Sequence, residues 1–424
     1  MHDMTSKSYF RITKDVFSNR NILTIALTTS AFTLMEQGWR PFWNLYLKTE
    51  LNASIPALGL LAMIQSSERL LFQLPGGLLA DRFGRRKIIV YGTALRIIPP
   101  LIFILAADWR HIIPGLLING AASIYMPAYN AIIADSLPEM QRGAGFGAFR
   151  MIISIPRIVS PIIGGVVMDA LGYRKGVRVF LFLTVIVSII VTVVRSRVIT
   201  ETLVDDKPKI TKEEKRGMRA SLAEKFNLPR SMWIMVVVAV MGSFGVRMVR
   251  EFLPIYAVEV VGITNTQLGL VQTTVGLITA AMALPGGMFA DRYGRKPLIL
   301  ASRIITPLTM GAITLTYNFP TYYLARSLSS VGDALGGGAN NFAGGPAWDA
   351  LVTDLVEKSK RGTVMGTIGT VTGIFGAPSS IVGAWLWQTY SPNLPFQLSM
   401  VFGLIGAGIF ALGVKEPKRK KTLD

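Results

Sequence analysis

The sequence predicts an all-α membrane protein, with about twelve transmembrane helices in two pseudo-symmetric six-helix bundles. Three observations carry this expectation. Of 424 residues, 51% are hydrophobic and 16% charged, against roughly 25% charged in an average soluble domain. Apolar runs of roughly 20 residues, each long enough to cross about 30 Å of hydrocarbon, recur along the whole chain. One charged phrase also occurs twice: Leu74-Pro75-Gly76-Gly77-Leu78-Leu79-Ala80-Asp81-Arg82-Phe83-Gly84-Arg85 returns 210 positions later as Leu284-Pro285-Gly286-Gly287-Met288-Phe289-Ala290-Asp291-Arg292-Tyr293-Gly294-Arg295. Each copy ends one apolar run and precedes another, so each is a tight loop at the same point of two repeated halves.

In chain order the runs fall near 22–47, 56–80, 87–107, 111–134, 143–168 and 176–197, then near 231–257, 265–290, 297–317, 321–353, 362–388 and 395–414. The first run is too long for a cleaved leader and carries Glu36 and Arg40, so it is expected to remain as a helix. An N-terminal six-helix bundle over 1–197 and a C-terminal one with a basic tail over 231–424 follow. Between them, 198–230 holds eight Lys and Arg and is too polar for the membrane, which predicts a cytoplasmic linker, a solvated tether, with 212–222 able to form a surface helix.

The repeat extends past the loop. Arg40-Pro41-Phe42 overlays Arg250-Glu251-Phe252, and Pro127-Ala128-Tyr129-Asn130-Ala131 through Asp135 has its twin in Pro346-Ala347-Trp348-Asp349-Ala350 through Asp354. The second spacing is 219, so nine extra residues entered the second half. They fall in or near Gly336–Pro346, a stretch with five glycines and two amides. An interior Gly costs about 1 kcal/mol of helix stability relative to Ala, and Pro about 3. A kink or unwound turn is therefore expected near Gly336–Gly345, as part of a cytoplasmic gate; the alternative is a straight helix whose glycines allow close packing.

The formal charge of +19 raises the question of nucleic acid. Of the 44 Lys and Arg, 30 lie in segments that are cytoplasmic if both termini are inside, five in outer loops and nine within predicted helices. This asymmetry follows the positive-inside rule. The basicity reports a multi-pass protein of the cytoplasmic membrane against anionic lipid, and no nucleic-acid partner is expected. With no cysteine and only His2 and His111, both near aqueous ends, thiol chemistry, a Cys-based metal site and a helical His-rich metal motif are excluded, and no metal is expected. No nucleotide-binding phrase is present, so neither an enzyme nor a cofactor is expected.

The doubled loop identifies the chain as resembling a major facilitator superfamily transporter over essentially its whole length. The family pattern Gly-x-x-x-Asp-Arg-x-Gly-Arg-Arg/Lys reads here Gly77, Asp81, Arg82, Gly84, Arg85, Arg86, and again Gly287, Asp291, Arg292, Gly294, Arg295, Lys296. The resemblance implies that Asp81 faces the start of helix eleven near Gly362, where a helix dipole favours negative charge, and that Arg85 pairs with Asp135. Asp291, Arg295 and Asp354 would form the mirror network, the two together being a cytoplasmic latch; the plainer reading is that these charges only set topology. The family's proton-coupled exporters carry a helix-five pattern that is matched in part by Pro161, Gly164 and Gly165, with Pro156 and Ser160 in place of two glycines. This leans toward antiport, and packing of small residues explains it equally.

Ionisable groups inside a membrane are expensive and functional by default. Nine arginines lie there: Arg40, Arg69, Arg96, Arg150, Arg157, Arg247, Arg250, Arg303 and Arg326. The proton-coupling candidates are Glu36, Glu68 and Asp333, in that order, each with a fixed ion pair as its plain alternative; Glu36 and Arg40 are four apart and able to pair. Trp39, Arg40, Trp43, Asn44, Asn119, Tyr125, Arg157, Arg247, Arg250, Gln272, Asn340 and Asn341 are candidates to line a substrate cavity. The excess of arginine over acid admits an anionic substrate. A monomeric secondary transporter follows, with proton antiport exporting a small organic compound as the first reading. Uptake by proton symport of a solute, including an anionic one, and lipid or lysolipid movement are its alternatives. A non-transporting receptor is the reading from another class.

Overall fold

A computed structural model of the chain describes residues 17–137, 142–202, 230–336, 346–356 and 361–414. Within them, the side chains of 69–71, 73–82, 142–145, 148, 283–284, 287, 291, 346, 349 and 362–363 are not described. The described chain is helical throughout. Helix α1 (Arg20–Trp39) passes through a 3-10 turn (Arg40–Phe42) into α2 (Trp43–Glu50). Then come α3 (Ile55–Phe83), α4 (Arg85–Leu95), α5 (Ile98–Leu105), α6 (Ile112–Ala122), α7 (Tyr125–Asp135) and α8 (Arg142–Val198). Gly172, at φ 72°, breaks α8 into two helices.

The second half repeats the layout: α9 (Arg230–Arg250), a short turn and a π segment (Tyr256–Val260), α10 (Asn265–Tyr293), α11 (Arg295–Ala312), α12 (Phe319–Gly336), α13 (Pro346–Leu355), α14 (Arg361–Gly376), α15 (Ser379–Thr389) and α16 (Leu394–Gly413). The expected kink falls on 337–345, which lies outside the described residues, as does most of the expected linker. Among the described residues, six helical stretches meet the length and hydropathy needed to cross a membrane.

The 210-residue repeat is carried by the backbone as well as the sequence. Ala53 N–H donates to Leu47 C=O (2.9 Å), and Ile263 N–H to Ala257 C=O (3.1 Å). The positive-φ residues Asn52 (54°) and Gly262 (78°) hold the same turn in the two halves. Gly84 and Gly294 cap α4 and α11 at φ 92° and 94°. That conformation costs a side-chain-bearing residue roughly 1–2 kcal/mol, which is why the repeated loop has glycine there.

The chain divides into two compact units, Met1–Val204 with Pro254–Leu277, and Asp205–Leu253 with Ile278–Asp424. In the first, α1 packs along α8, and Ile22, Ile25, Ile89, Tyr129, Ile132 and Phe149 share a core with Ile199. In the second, α9 and α11 pack on α16 around Met232, Met235, Trp348, Leu351 and Phe410. Lipid gives helices no hydrophobic reason to associate, so close contact and polar bonds do the joining. Gly164 shows this: a β-carbon there would collide with the Gly38 carbonyl of α1, and one at Gly165 with the Asn265 carbonyl of α10.

Candidate functional site

At the end of α3 the repeated loop turns at Gly84, and Arg85 forms an ion pair with Asp135 at the end of α7. In the second unit Arg295 pairs with Asp354 and donates to Ala350 C=O at 2.6 Å. Arg292 is exposed and stacks on Tyr293 (5.5 Å). The side chains of Gly77, Asp81, Arg82, Gly287 and Asp291 lie outside those described. A residue that sequence reasoning placed in the linker completes the loop. The Glu201 carboxylate accepts the Arg85 N–H (3.2 Å) and Arg86 N–H (3.0 Å), capping α4, while Arg86 donates to Ser196 C=O at 2.5 Å. Ile199 is buried beside it. The first residues after α8 are thus docked on the first unit and are no solvated tether. The carboxylate suits two free N–H groups at a helix start.

Glu36 does pair with Arg40, at 2.5 Å, but it also accepts from Arg96, the C-cap of α4, at 3.3 Å. Arg96 in turn donates to the Tyr125 hydroxyl (2.9 Å) and lies 3.8 Å from the Phe32 ring centroid. Protonating Glu36 would leave two guanidiniums without their shared carboxylate, which argues against its first rank as the coupling group. Glu68 is placed differently. It is 4% exposed, packs against Gly120 of α6, and its Oε1 has no hydrogen-bond partner among the described residues. Among the described residues it is in no ion pair, so protonating it leaves no described cation without its carboxylate. Asp333 accepts from Thr306 at 2.9 Å in the second unit.

Sequence reasoning counted Arg195 among the cytoplasmic bases. The structure corrects this: Arg195 is 3% exposed. Its guanidinium donates to Thr28 (3.1 Å), Thr29 (2.9 Å) and Thr93 (2.9 Å). Thr28 and Thr93 spend their own O–H on the carbonyls of Thr24 and Ile89, one turn back, so their lone pairs are left for the cation.

The other candidates separate. Trp43 is 6% exposed and packs edge-on to Trp39 (4.9 Å), stacked on Tyr46 (5.6 Å) and tilted against Phe103 (5.0 Å). Asn119, Arg157 and Arg250 are exposed, and Asn44 and Gln272 half-buried. Arg247 donates to Ser243 at 3.1 Å. Asn340 and Asn341 lie outside the described residues. Pro161, Gly164 and Gly165 sit where α8 meets α1 and α10 most closely, Pro161 C=O standing against Gly269.

The sequence matches the family description of the Major Facilitator Superfamily over residues 25–264 and again over 244–424. The chain belongs to the Major Facilitator Superfamily. It is similar to a Na(+), Li(+), K(+)/H(+) antiporter of Planococcus maritimus, at 23% identity over 88% of this chain and 91% of that one. It is 26% identical to the hexuronate transporter of Bacillus subtilis over 161 residues, 38% of this chain and 36% of that one. The crystal structure of a D-xylose–proton symporter shares its fold, with a TM-score of 0.72 at 15% identity, covering 94% and 99% of the two chains. As a superfamily member the chain is an integral multi-pass membrane protein that moves a small organic solute by secondary active transport, and it is not an enzyme.

Proposed function

We propose that the chain takes up a small organic anion together with protons, by alternating access of an N-terminal bundle (1–197) and a C-terminal bundle (231–424) of six helices each. Residues 203–230 join them on the cytoplasmic side of the inner membrane, where both termini lie, and the transporter works as a monomer in lipid. The observation that carries this reading is the charge inventory of the first unit. Arg40 and Arg96 share one carboxylate, Glu36, and Arg195 is held by neutral hydroxyls. Glu68 stands apart from all three cations in the ion pairs of the described residues, with one oxygen unbonded. A cation-rich interior favours an anionic solute, and a carboxyl free to gain and lose a proton lets that solute be driven by a proton gradient. The likeness to the hexuronate transporter supports an anionic substrate.

Glu68 then carries the proton, and Arg85–Asp135 with Arg295–Asp354 act as halves of the cytoplasmic latch, together with Gly77, Asp81, Gly287 and Asp291. Proton antiport is the second reading, favoured by the likeness to the Planococcus antiporter. Its support from helix five is weaker, because Gly164 and Gly165 are already demanded by close packing. Purified protein in liposomes, alkaline inside, should accumulate labelled D-glucuronate and lose it on adding a protonophore. Proton entry into the lumen driven by outward solute, or proton release from the lumen driven by inward Na+, would select antiport instead.

A further inference from the structure

We infer that Arg326 and Ser329 of α12 form a carboxylate-binding subsite. The inference rests on the organic-anion reading above and places the recognition of the anion in the second unit. Arg326 is 9% exposed, yet among the described residues it has no ion pair and no hydrogen bond, and its Nε is fully enclosed. Three other arginines set among the helices are held: Arg96 by Glu36 and Tyr125, Arg195 by three threonines, and Arg303 by the Val238 carbonyl (3.4 Å) and the Trp348 ring. A buried guanidinium is costly unless its donors are used. Ser329, three residues on and so on the same helix face, is 0% exposed with its Oγ also unpartnered. Two adjacent, enclosed, unused donors call for one acceptor.

The neighbouring polar groups on α12 are spoken for. Tyr322 donates to Leu253 C=O (3.5 Å), Ser330 bonds Thr279 (3.4 Å) and Asp333 takes the Thr306 hydroxyl (2.9 Å). Asp333 is also seven residues from Arg326, about 10 Å along a helix axis. The repeat adds an independent point. At the 210-residue spacing Arg326 corresponds to Leu116, a buried apolar residue of α6, and Ser329 to Asn119. The fold position accepts leucine, so the arginine is there for something other than the fold. A carboxylate fits it: two parallel N–H···O bonds to the guanidinium, with the Ser329 hydroxyl as a third donor.

The test is binding of D-glucuronate to purified protein in detergent, with neutral D-glucose as control, read by titration calorimetry and by the melting temperature with and without the probe. Arg326→Leu should weaken glucuronate binding at least tenfold, abolish the glucuronate-induced rise in melting temperature, and leave the probe-free melting temperature equal or higher. Arg326→Lys should fall between, since it keeps the charge and loses the fork; Ser329→Ala should lose about two- to fivefold. Wild-type affinity in Arg326→Leu would overturn the subsite and leave the anion reading standing. A lowered probe-free melting temperature in Arg326→Leu would make the arginine a fold element and overturn it as well. If the wild type binds neither glucuronate nor the smaller carboxylates gluconate and lactate, the anion reading falls and the subsite with it.

Discussion

The guanidinium of Arg303 lies 4.4 Å from the centre of the Trp348 ring, and Trp348 is the repeat counterpart of Tyr129, which has Arg195 at 5.9 Å. Both halves thus place a cation, buried in the first and half-buried in the second, against the aromatic of the same repeated phrase. The cation comes from α8 in the first unit and from α11 in the second. At the position of Arg303 the first half has Thr93, itself a ligand of Arg195. The repeat preserves the pairing and exchanges the helix that supplies the charge.

Trp348 is 1% exposed. Trp348→Ala should destabilise the second unit by about 3–5 kcal/mol, the usual cost of deleting a large buried ring. Trp348→Phe, which keeps a face for Arg303, should cost far less. Thermal unfolding of the purified variants measures both; equal losses would mean that the cation–ring contact contributes nothing.

Glu68→Gln should fold as well as the wild type and lose pH-driven accumulation while still exchanging solute across the membrane. Glu36→Gln should instead express poorly, because it leaves Arg40 and Arg96 without their carboxylate. Should Glu36→Gln be stable and uncoupled while Glu68→Gln still accumulates solute, the assignment of the two carboxylates is reversed.

Glu201→Ala removes the cap of α4 and should cost about 0.5–2 kcal/mol, the range for a lost helix N-cap. Gly84→Ala should cost roughly 1–2 kcal/mol from its backbone angle alone. Transport rates of both should fall together with melting temperature. An unchanged rate in a folded Glu201→Ala protein would separate the cap from the latch.

Helix-five glycines should divide by packing. Gly147 has open space around its missing side chain, whereas Gly164 abuts the Gly38 carbonyl. Gly147→Ala should be neutral or stabilise by up to about 1 kcal/mol through helix propensity. Gly164→Ala should prevent normal folding. A transport defect in stable Gly147→Ala would return a mechanistic role to that pattern and strengthen the antiport reading.

Asp135→Asn and Asp354→Asn should each reduce transport without loss of membrane insertion. These carboxylates are partly exposed at 34% and 41%, so the stability change should stay near the ~0–1 kcal/mol of solvated pairs. Initial uptake rates normalised to protein in the membrane decide the point. Wild-type rates in both would remove the latch.

The sequence by itself determined the class, the repeated loop and the Glu36–Arg40 pair, while Arg85–Asp135 and Arg295–Asp354 were implied by the family resemblance that the loop carries. These follow from hydropathy, charge asymmetry, short helical spacing and a phrase written twice, all of which are local or repeated along the chain. Only the tertiary structure decided which arginine has what around it. Arg195 counted as a surface base until three threonines from two other helices closed on it. Glu36 read as a simple pair until Arg96 arrived from the end of α4, and Glu201 read as linker until it capped a helix 115 residues away in sequence. Arg326 could not be told from the other interior arginines until the absence of a partner for it among the described residues was visible. A buried charge is defined by the groups that converge on it from distant parts of the chain, and convergence has no period in the sequence.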